Sequence, residues 1–279
     1  MNISTNSGDA RGTLSTPNMG SRRFGRVNWL GLATLIAREV KRFSNVWTQT
    51  LLAPLVTACL LMSVFTLAFS ARRGAEASVE FMQFMAPGIL MMTVIQNAFA
   101  NTSSSLLSAK IQGNIVDTLM PPLSAAELTI GYITGGVLRG LLVAILVASA
   151  VFPYVGIGLA HPVWALAFAL AGAAMMALLG LMAAILARKF DHMSAITNFV
   201  VTPLSFLSGT FYSITVLPEW MQTISHLNPF FYAIDGMRFA ALGASDAPPA
   251  LGLAALLAVD AVLAGICWWW FRVGFKLKA

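Results

Sequence analysis

Residues 217–238 read LPEWMQTISHLNPFFYAIDGMR and lie between two long apolar runs. Pro218 and Pro229 bound a segment in which apolar residues recur at about helical spacing, while its other face is polar. An aromatic run follows at residues 230–232. A short amphipathic helix followed by aromatic side chains is typical of a segment that lies in, or dips into, the membrane interface. An ordinary solvent-exposed loop is the alternative.

The composition is that of a polytopic membrane protein. The chain is 58% hydrophobic and 10% charged, with a mean hydropathy of +0.77, whereas soluble domains are about 25% charged. Cys59 and Cys267 both fall in apolar runs, so no disulfide framework is expected. Six apolar runs each approach the roughly 20 residues that cross the hydrocarbon core. The predicted spans are about 47–69, 85–107, 128–151, 163–187, 194–213 and 251–271.

The fold class predicted is therefore all-α, with six transmembrane helices in a domain of residues 27–271. Residues 1–26 are expected to be a disordered cytoplasmic tail, and residues 272–279 a second cytoplasmic tail. Residues 27–45 form an amphipathic pattern with a cationic polar face, which suits an interfacial helix on the cytoplasmic leaflet. A cytosolic cap packed on a partner protein is an open alternative for this helix.

The distribution of charge predicts the orientation. With both termini in the cytoplasm, thirteen Lys and Arg residues are inside and three are outside, namely Arg72, Arg73 and Arg238. Arg139 is the one cation within a predicted span. A net charge of +6 would suggest a nucleic acid partner in a soluble protein, but in a membrane protein its distribution matters more than its size, so we expect a bilayer and not a nucleic acid as the partner. The predicted localisation is the plasma membrane, crossed several times, with both termini in the cytoplasm.

The predicted cytoplasmic loop at residues 110–128 has a second informative pattern. It reads as a short helix broken by Pro121 and Pro122, after which Ser124 caps the third span with Glu127 at the N3 position. Turn and cap chemistry alone explains about half of these residues.

Two spacings in the chain resemble those of ABC-2-type exporter permeases. The first runs Leu207-Ser208-Gly209, Leu217-Pro218, Pro229-Phe230-x-Tyr232 and Arg238; the second is the order of basic residue, Gly, Leu, Pro-Leu-Ser and Glu-Leu in the loop at 110–128, with Gly131 one turn further on. Lys110 departs from the family, in which an Arg-Glu pair is common. The chain is similar to the small six-span bacterial members, and the resemblance covers most of residues 27–271.

The resemblance implies a coupling helix that docks on a separately encoded ABC ATPase subunit. The residues that it assigns to this role are Lys110, Gly113, Ile115, Val116, Asp117 and Leu119. The chain has no G-x-x-x-x-G-K-S/T phosphate loop, so it is expected to be no enzyme and to bind no cofactor, with ATP and Mg²⁺ held by the partner. A second permease copy, giving a homodimer, is also implied.

Polar residues at helical spacing on spans two and five are candidates for the substrate pathway. They are Asn97, Asn101 and Ser104 on span two, and Asn198, Thr202 and Ser205 on span five, where the aromatic Phe206 lies nearby and is included as a candidate. Such stripes also join helices through hydrogen bonds, which is the alternative. The family resemblance favours the pathway.

Two charges lie near the middle of spans, Arg139 in span three and Asp260 in span six. A mutual ion pair is the economical prediction, and a proton or ion relay is the alternative. The pairs Gly131/Gly135 and Gly136/Gly140 predict close helix packing within the protomer. The three histidines lie in different loops, so no metal site is expected.

These observations predict the membrane permease subunit of an ABC exporter for small drug-like or lipidic molecules. A lipo-oligosaccharide or polysaccharide cargo remains an alternative. So do an ion-coupled secondary transporter that uses Arg139 and Asp260, and a non-transport membrane scaffold.

Overall fold

The computed structural model describes residues 27–73 and 75–277, apart from the side chains of residues 70–78. The predicted tail of residues 1–26 and the side chains of Arg72 and Arg73 therefore lie outside the described residues. The described part of the chain folds into helices and contains no strand. The α-helices are α1 (Trp29–Ser44), α2 (Ala53–Arg73), α3 (Ala75–Ile111), α4 (Ile115–Leu119), α5 (Ala125–Val155), α6 (Pro162–Leu186), α7 (Phe190–Ile196), α8 (Thr202–Leu207), α9 (Glu219–Leu227), α10 (Pro229–Leu242) and α11 (Pro249–Val273).

Five helical segments of the described chain are long and apolar enough to cross a membrane. They are Thr48–Phe69, Val79–Ile111, Ala125–Val155, Pro162–Leu186 and Pro249–Val273. Each overlaps one of the predicted spans. The all-helical polytopic class is therefore confirmed, whereas the predicted number of six spans is not.

The predicted fifth span, residues 194–213, is built from shorter pieces. A π-helical turn at Thr197–Val201 joins α7 to α8. The helix then stops at Leu207, and Gly209 takes a left-handed conformation with φ +75°. The uninterrupted helical stretch, residues 190–207, therefore begins before the predicted fifth span and ends before residue 213.

Helices α3 and α6 form the centre of the bundle, and α2 and α11 lie at its periphery with few buried side chains. The two central helices approach closely because α6 carries glycines at the contact. A Cβ atom on Gly180 would lie 2.6 Å from the carbonyl oxygen of Phe99. The hydroxyl of Thr102 donates to the carbonyl of Ala177 at 2.8 Å across the same interface. Larger residues would force these two helices apart.

The four glycines of α5 pack inside the protomer, as the sequence predicts. A Cβ on Gly131 would collide with Leu35, and a Cβ on Gly135 would lie 2.6 Å from the Cβ of Glu39. Helix α1 therefore packs directly against the backbone of α5 at these two glycines. Gly136 and Gly140 face α6, where added Cβ atoms would lie 2.8 and 3.3 Å from Ala177 and Ala173.

Helices α1 and α4, the α6–α7 loop and the segment after α11 lie at one end of the bundle. We call this the basic end. The ammonium of Lys110 reaches the carbonyl of Ala187 there, and Leu277 lines a cavity beside α4. The exposed cations of this end include Lys41, Arg188, Lys189 and Lys276. At the opposite end, His161 donates its backbone N–H to the carbonyl of Ala240 and so ties the start of α6 to α10.

Candidate functional site

The carboxylate of Glu127 joins the start of α5 to the start of α1. Its Oε2 accepts from the backbone N–H of Ser124 at 2.6 Å, and the hydroxyl of Ser124 accepts from the N–H of Glu127 at 3.3 Å. This is the predicted capping box. The Oε1 atom accepts from the N–H of Asn28 at 2.5 Å. One buried side chain therefore satisfies backbone donors of both helices.

A buried carboxylate also lies on the inner face of α1. Glu39 is fully buried, and its oxygens lie 3.3 Å from Arg38 and 3.4 Å from Arg42. The hydroxyl of Ser105 on α3 donates to the same carboxylate at 2.7 Å. Since a buried charge without partners is very costly, these contacts hold α1 firmly on α3.

The guanidinium of Arg38 connects three helices. It donates to the hydroxyl of Thr118 on α4 at 2.7 Å and to the hydroxyl of Tyr132 on α5 at 3.2 Å. Burial lowers the pKa of Arg38, but Tyr132 and Glu39 outweigh this effect, and the net shift of the pKa is upward. Arg38 is therefore charged at any physiological pH. It links α4 to α1 and α5.

Arg42 extends the contacts along α3. It donates to the carbonyl oxygen and side-chain oxygen of Asn101 at 2.7 and 2.8 Å, and to the hydroxyl of Ser104 at 3.1 Å. Together these groups form what we call the Glu39 cluster. Its members are Arg38, Glu39, Arg42, Asn101, Ser104, Ser105, Thr118 and Tyr132.

Lys110 does not present its charge at the surface, contrary to the expectation of a coupling contact. Its ammonium is buried and donates to the carbonyls of Ala184, Ile185 and Ala187 at 3.0, 2.7 and 2.9 Å. These are carbonyls at the end of α6 that the helix itself leaves unpaired. Lys110 therefore caps α6, because its long side chain reaches this cation-binding position from α3.

Four of the other predicted coupling residues lie on α4, where some are exposed and one is buried, and the fifth, Gly113, precedes that helix. Val116 and Leu119 are 53% and 38% exposed, and Asp117 is exposed as well. Ile115 is buried and packs into the bundle, so it is not a surface anchor. Gly113 has φ +76°, and a Cβ there would meet nothing within 4 Å. The glycine is thus explained by the left-handed turn between α3 and α4.

The predicted pathway residues are brought together only in part. A cavity of about 390 Å³ separates α3 from the segment 190–202, and Asn97, Ser104 and Thr202 line it. Asn101 is fully buried in the Glu39 cluster and does not line this cavity. Ser205 is buried and returns its hydroxyl to the carbonyl of Val201 at 2.7 Å. Asn198 and Phe206 are exposed and also do not line the cavity.

The predicted ion pair between Arg139 and Asp260 is not formed. Arg139 instead donates to the side-chain oxygen of Asn97 at 3.0 Å, and its Nε has no partner. Asp260 has a buried Oδ1 with no hydrogen-bond partner. The reason is that Arg139 turns toward α3, so it does not meet the peripheral helix α11. The two charges therefore do not neutralise each other.

The segment at 217–238 contains the two predicted elements, a helix between prolines and an aromatic run. Pro218 precedes α9, and the carbonyl of Leu217 accepts from the side chain of Gln222 at 2.8 Å. Pro229 is the first residue of α10, and Phe230 and Tyr232 pack within the bundle, buried and half-buried. Helix α10 is largely buried against α3, α6 and α11.

Arg238 secures this segment from inside. It donates to the carbonyl of Gly209 at 2.5 Å, lies 3.5 Å from Asp235, and stacks over the ring of Phe84 at 3.9 Å. Asp235 in turn accepts from the backbone N–H groups of Asp246 and Ala247 at 2.9 and 3.0 Å. The signature arginine therefore ties α10 to the turn after α8 and to α3.

The comparisons with known proteins agree with this architecture. Residues 31–242 match the family model described as ABC-2 type transporter, which is well over half of the chain. This chain belongs to that family. The permease is 37% identical to the Inner membrane transport permease YadH of Escherichia coli (strain K12) over 251 residues, which cover 90% of this chain and 98% of that protein. It is 26% identical to Nodulation protein J of Sinorhizobium fredii over 203 residues, 70% of this chain and 75% of that protein.

The permease is thus a multi-pass membrane protein of transport function. Sequence reasoning missed its Glu39 cluster, because it assigned the cations of residues 27–45, which include Arg38 and Arg42, to a polar face at the membrane surface and left Glu39 unassigned. A signal was present, since Glu39 follows Leu35 by four residues and precedes Phe43 by four, within the apolar stripe of α1. No group of metal-ligating side chains is found in the part of the permease that the structure describes.

Proposed function

We propose that the permease forms the substrate pathway of an ATP-binding-cassette exporter and couples to a separate ATPase subunit through α4. The observation that carries this proposal is the exposed apolar face of α4, Val116 and Leu119, backed directly by the Glu39 cluster. An exposed apolar surface held by a network of hydrogen bonds suits a contact that must transmit force. Family membership implies the ATPase partner.

The Glu39 cluster gives a route for that force. ATP binding would close the pair of ATPase subunits and displace α4. Thr118 of α4 would move Arg38, and Glu39 and Arg42 would carry the displacement to α3, which lines the cavity of 390 Å³. Charge-assisted hydrogen bonds from the partly exposed guanidinium groups to their buried partners keep such a linkage short and stiff. ATP and Mg²⁺ belong to the partner in this scheme, and the permease supplies no chemistry to hydrolysis.

A second permease copy would complete the pathway. The outer face of α2 exposes Leu60 and Val64, each by 60%, and the π-helical turn before α8 exposes Phe199 by 82%. Apolar faces of this size pack against lipid or against another membrane helix. The family resemblance favours a homodimer in which α2, α3 and the segment 190–207 of both copies surround the substrate.

The proposed location is the bacterial inner membrane, with the basic end of the bundle in the cytoplasm. The proposed cargo is a small drug-like or lipidic molecule, since the lining of the cavity mixes amide, hydroxyl and apolar groups. Lipo-oligosaccharide and polysaccharide are the alternatives. Transport of a substrate panel into vesicles that contain the reconstituted complex distinguishes these classes.

The test of coupling is Leu119→Asp, which would bury an uncompensated charge in the docked state. We expect the ATPase subunit to be lost from purified permease while the permease remains monodisperse. Ala126→Asp is the matched control, since it places the same charge on the exposed first turn of α5, where a helix tolerates an acid. Undiminished co-purification and transport by Leu119→Asp would show that docking does not use α4.

An ion-coupled secondary transporter is the second candidate, and the unpaired buried oxygen of Asp260 favours it. Transport assays in vesicles distinguish the two functions. Transport that needs ATP and survives collapse of the proton gradient supports the ABC exporter, whereas transport driven by the gradient without ATP supports the alternative.

A further inference from the structure

The exposed face of α4 borders a groove that three separate parts of the chain build. The groove has a volume of about 370 Å³. Val116, Leu119 and Met120 supply its apolar wall, and Met120 is 76% exposed. Leu277, from the segment after α11, is only 3% exposed and lies beside Ile115 at its base. The segment after α11 thus belongs to the same surface as α4.

Exposed cations lie next in the chain to residues at the edge of this groove. Arg188 follows Ala187, whose carbonyl is held by Lys110 at the edge of the groove, and Lys276 precedes Leu277. Arg188, Lys189 and Lys276 are exposed, and none of them forms an ion pair within residues 27–73 and 75–277. The acidic side chain of α4, Asp117, lines the cavities on the other side of that helix. The rim of the groove is therefore positively charged.

The groove projects beyond the level at which α1 packs on α3. The Glu39 cluster contacts α3 at Asn101, Ser104 and Ser105, and α3 then continues to Ile111, about 9 Å further along its axis. Helix α3 has 37 residues and a length of about 55 Å, well above the roughly 30 Å of the hydrocarbon core. A groove at this tip is placed to meet a protein rather than acyl chains.

We infer that this groove and its rim of Arg188 and Lys276 receive an acidic surface of the ATPase subunit, with an apolar side chain in the groove and carboxylates beside it. The inference rests on the proposed function, because it specifies the chemistry of the partner in that complex. It also assigns a docking role to the α6–α7 loop and to the segment after α11. Charges at the rim of an interface act mainly on association rate and salt dependence.

The experiment measures the Kd between nanodisc-reconstituted permease and its ATPase subunit over a series of salt concentrations. The double variant Arg188→Glu/Lys276→Glu should bind about tenfold more weakly at low salt, and its Kd should depend less on salt. The charge-preserving double variant Arg188→Lys/Lys276→Arg should bind like the native permease. Lys41→Glu, which reverses an exposed cation on α1, should change the Kd less than twofold. Gel filtration checks the fold of each variant.

Three outcomes overturn the inference, each differently. If Leu119→Asp abolishes binding while the double reversal leaves the Kd and its salt dependence unchanged, docking on α4 stands and the acidic partner surface is wrong. If Leu119→Asp has no effect, the proposed coupling site itself fails, and the groove fails with it. If the double reversal spares ATPase binding but removes the thermal stabilisation that phosphatidylglycerol nanodiscs give over phosphatidylcholine ones, the cations face lipid headgroups.

Discussion

The guanidinium of Arg38 donates to the hydroxyl of Thr118 at 2.7 Å, and this hydrogen bond joins α1 to α4. The same guanidinium reaches Tyr132 on α5 and Glu39 on its own helix. A short helix of five residues has little stability of its own, so its orientation depends on such contacts. Arg38 is therefore the side chain through which a displacement of α4 would reach the long helices.

Arg38→Ala should uncouple ATP hydrolysis from transport. Removing a half-exposed arginine should cost only about 1 kcal/mol of stability, so the variant should fold. The ratio of substrate transported to ATP hydrolysed should fall severalfold, and Arg38→Lys should recover part of it, since one donor remains. Lys41→Ala is the control, because Lys41 is an exposed cation on the same helix. An unchanged ratio in Arg38→Ala would remove Arg38 from the coupling route.

Glu39→Gln should destabilise the permease strongly. It removes the fully buried carboxylate that the partly exposed guanidinium groups of Arg38 and Arg42 contact, and the loss of these charge-assisted hydrogen bonds costs about 1.5–3 kcal/mol. Thermal unfolding in detergent, followed by tryptophan fluorescence, should show a marked fall in Tm. Glu219→Gln, at an exposed acid in the first turn of α9, should leave the Tm nearly unchanged. Equal Tm values for both variants would contradict the structural role of Glu39.

Gly131→Ala should push α1 away from α5, because the new Cβ collides with Leu35. Overpacking of this kind costs about 1–3 kcal/mol. Gly265→Ala is the matched control, since a Cβ there meets nothing within 4 Å and alanine favours the helix. A second variant, Gly131→Ala with Leu35→Ala, should regain part of the loss. A permease that tolerates Gly131→Ala as well as Gly265→Ala would not pack α1 in this way.

Arg139→Gln and Asp260→Asn should act independently, because the two side chains are not paired. We expect their effects on unfolding free energy to add within about 0.5 kcal/mol in a double-mutant cycle. Asp260→Asn should be well tolerated, whereas Arg139→Gln loses the hydrogen bond to Asn97. Recovery of stability by the charge-swapped double variant would indicate that a pair forms in another conformation.

Labelling of single cysteines tests the orientation. In a background without Cys59 and Cys267, an impermeant maleimide should label a cysteine at Ala244 in intact cells, but not one at Asn114 or His192. All three positions are exposed in the structure, so protection reports the side of the membrane and not burial. Ready labelling of a cysteine at position 114 in intact cells would show that the proposed orientation is wrong.

Local and compositional features could be predicted from the sequence. The capping box of Ser124 and Glu127 follows from residues three apart, and the structure contains it. The long apolar runs indicate membrane helices because their length must match the bilayer. The glycine spacing in α5 predicts close packing, which also occurs. The first two causes act within one helix or between a helix and its solvent, and the third depends only on the spacing of small residues along one helix, whichever helix it meets.

The partners of polar side chains were decided only by the tertiary structure. Asn101 belongs to a helical stripe in the sequence, but its neighbour is Arg42, which lies on a helix 59 positions earlier in the chain. Lys110 caps α6 from 77 positions away, and Arg139 reaches Asn97 instead of Asp260. Periodicity shows which residues share a face of one helix, but not which helix that face meets. That choice depends on how all the helices pack together, because each buried polar group is stable only beside a partner that the packing supplies.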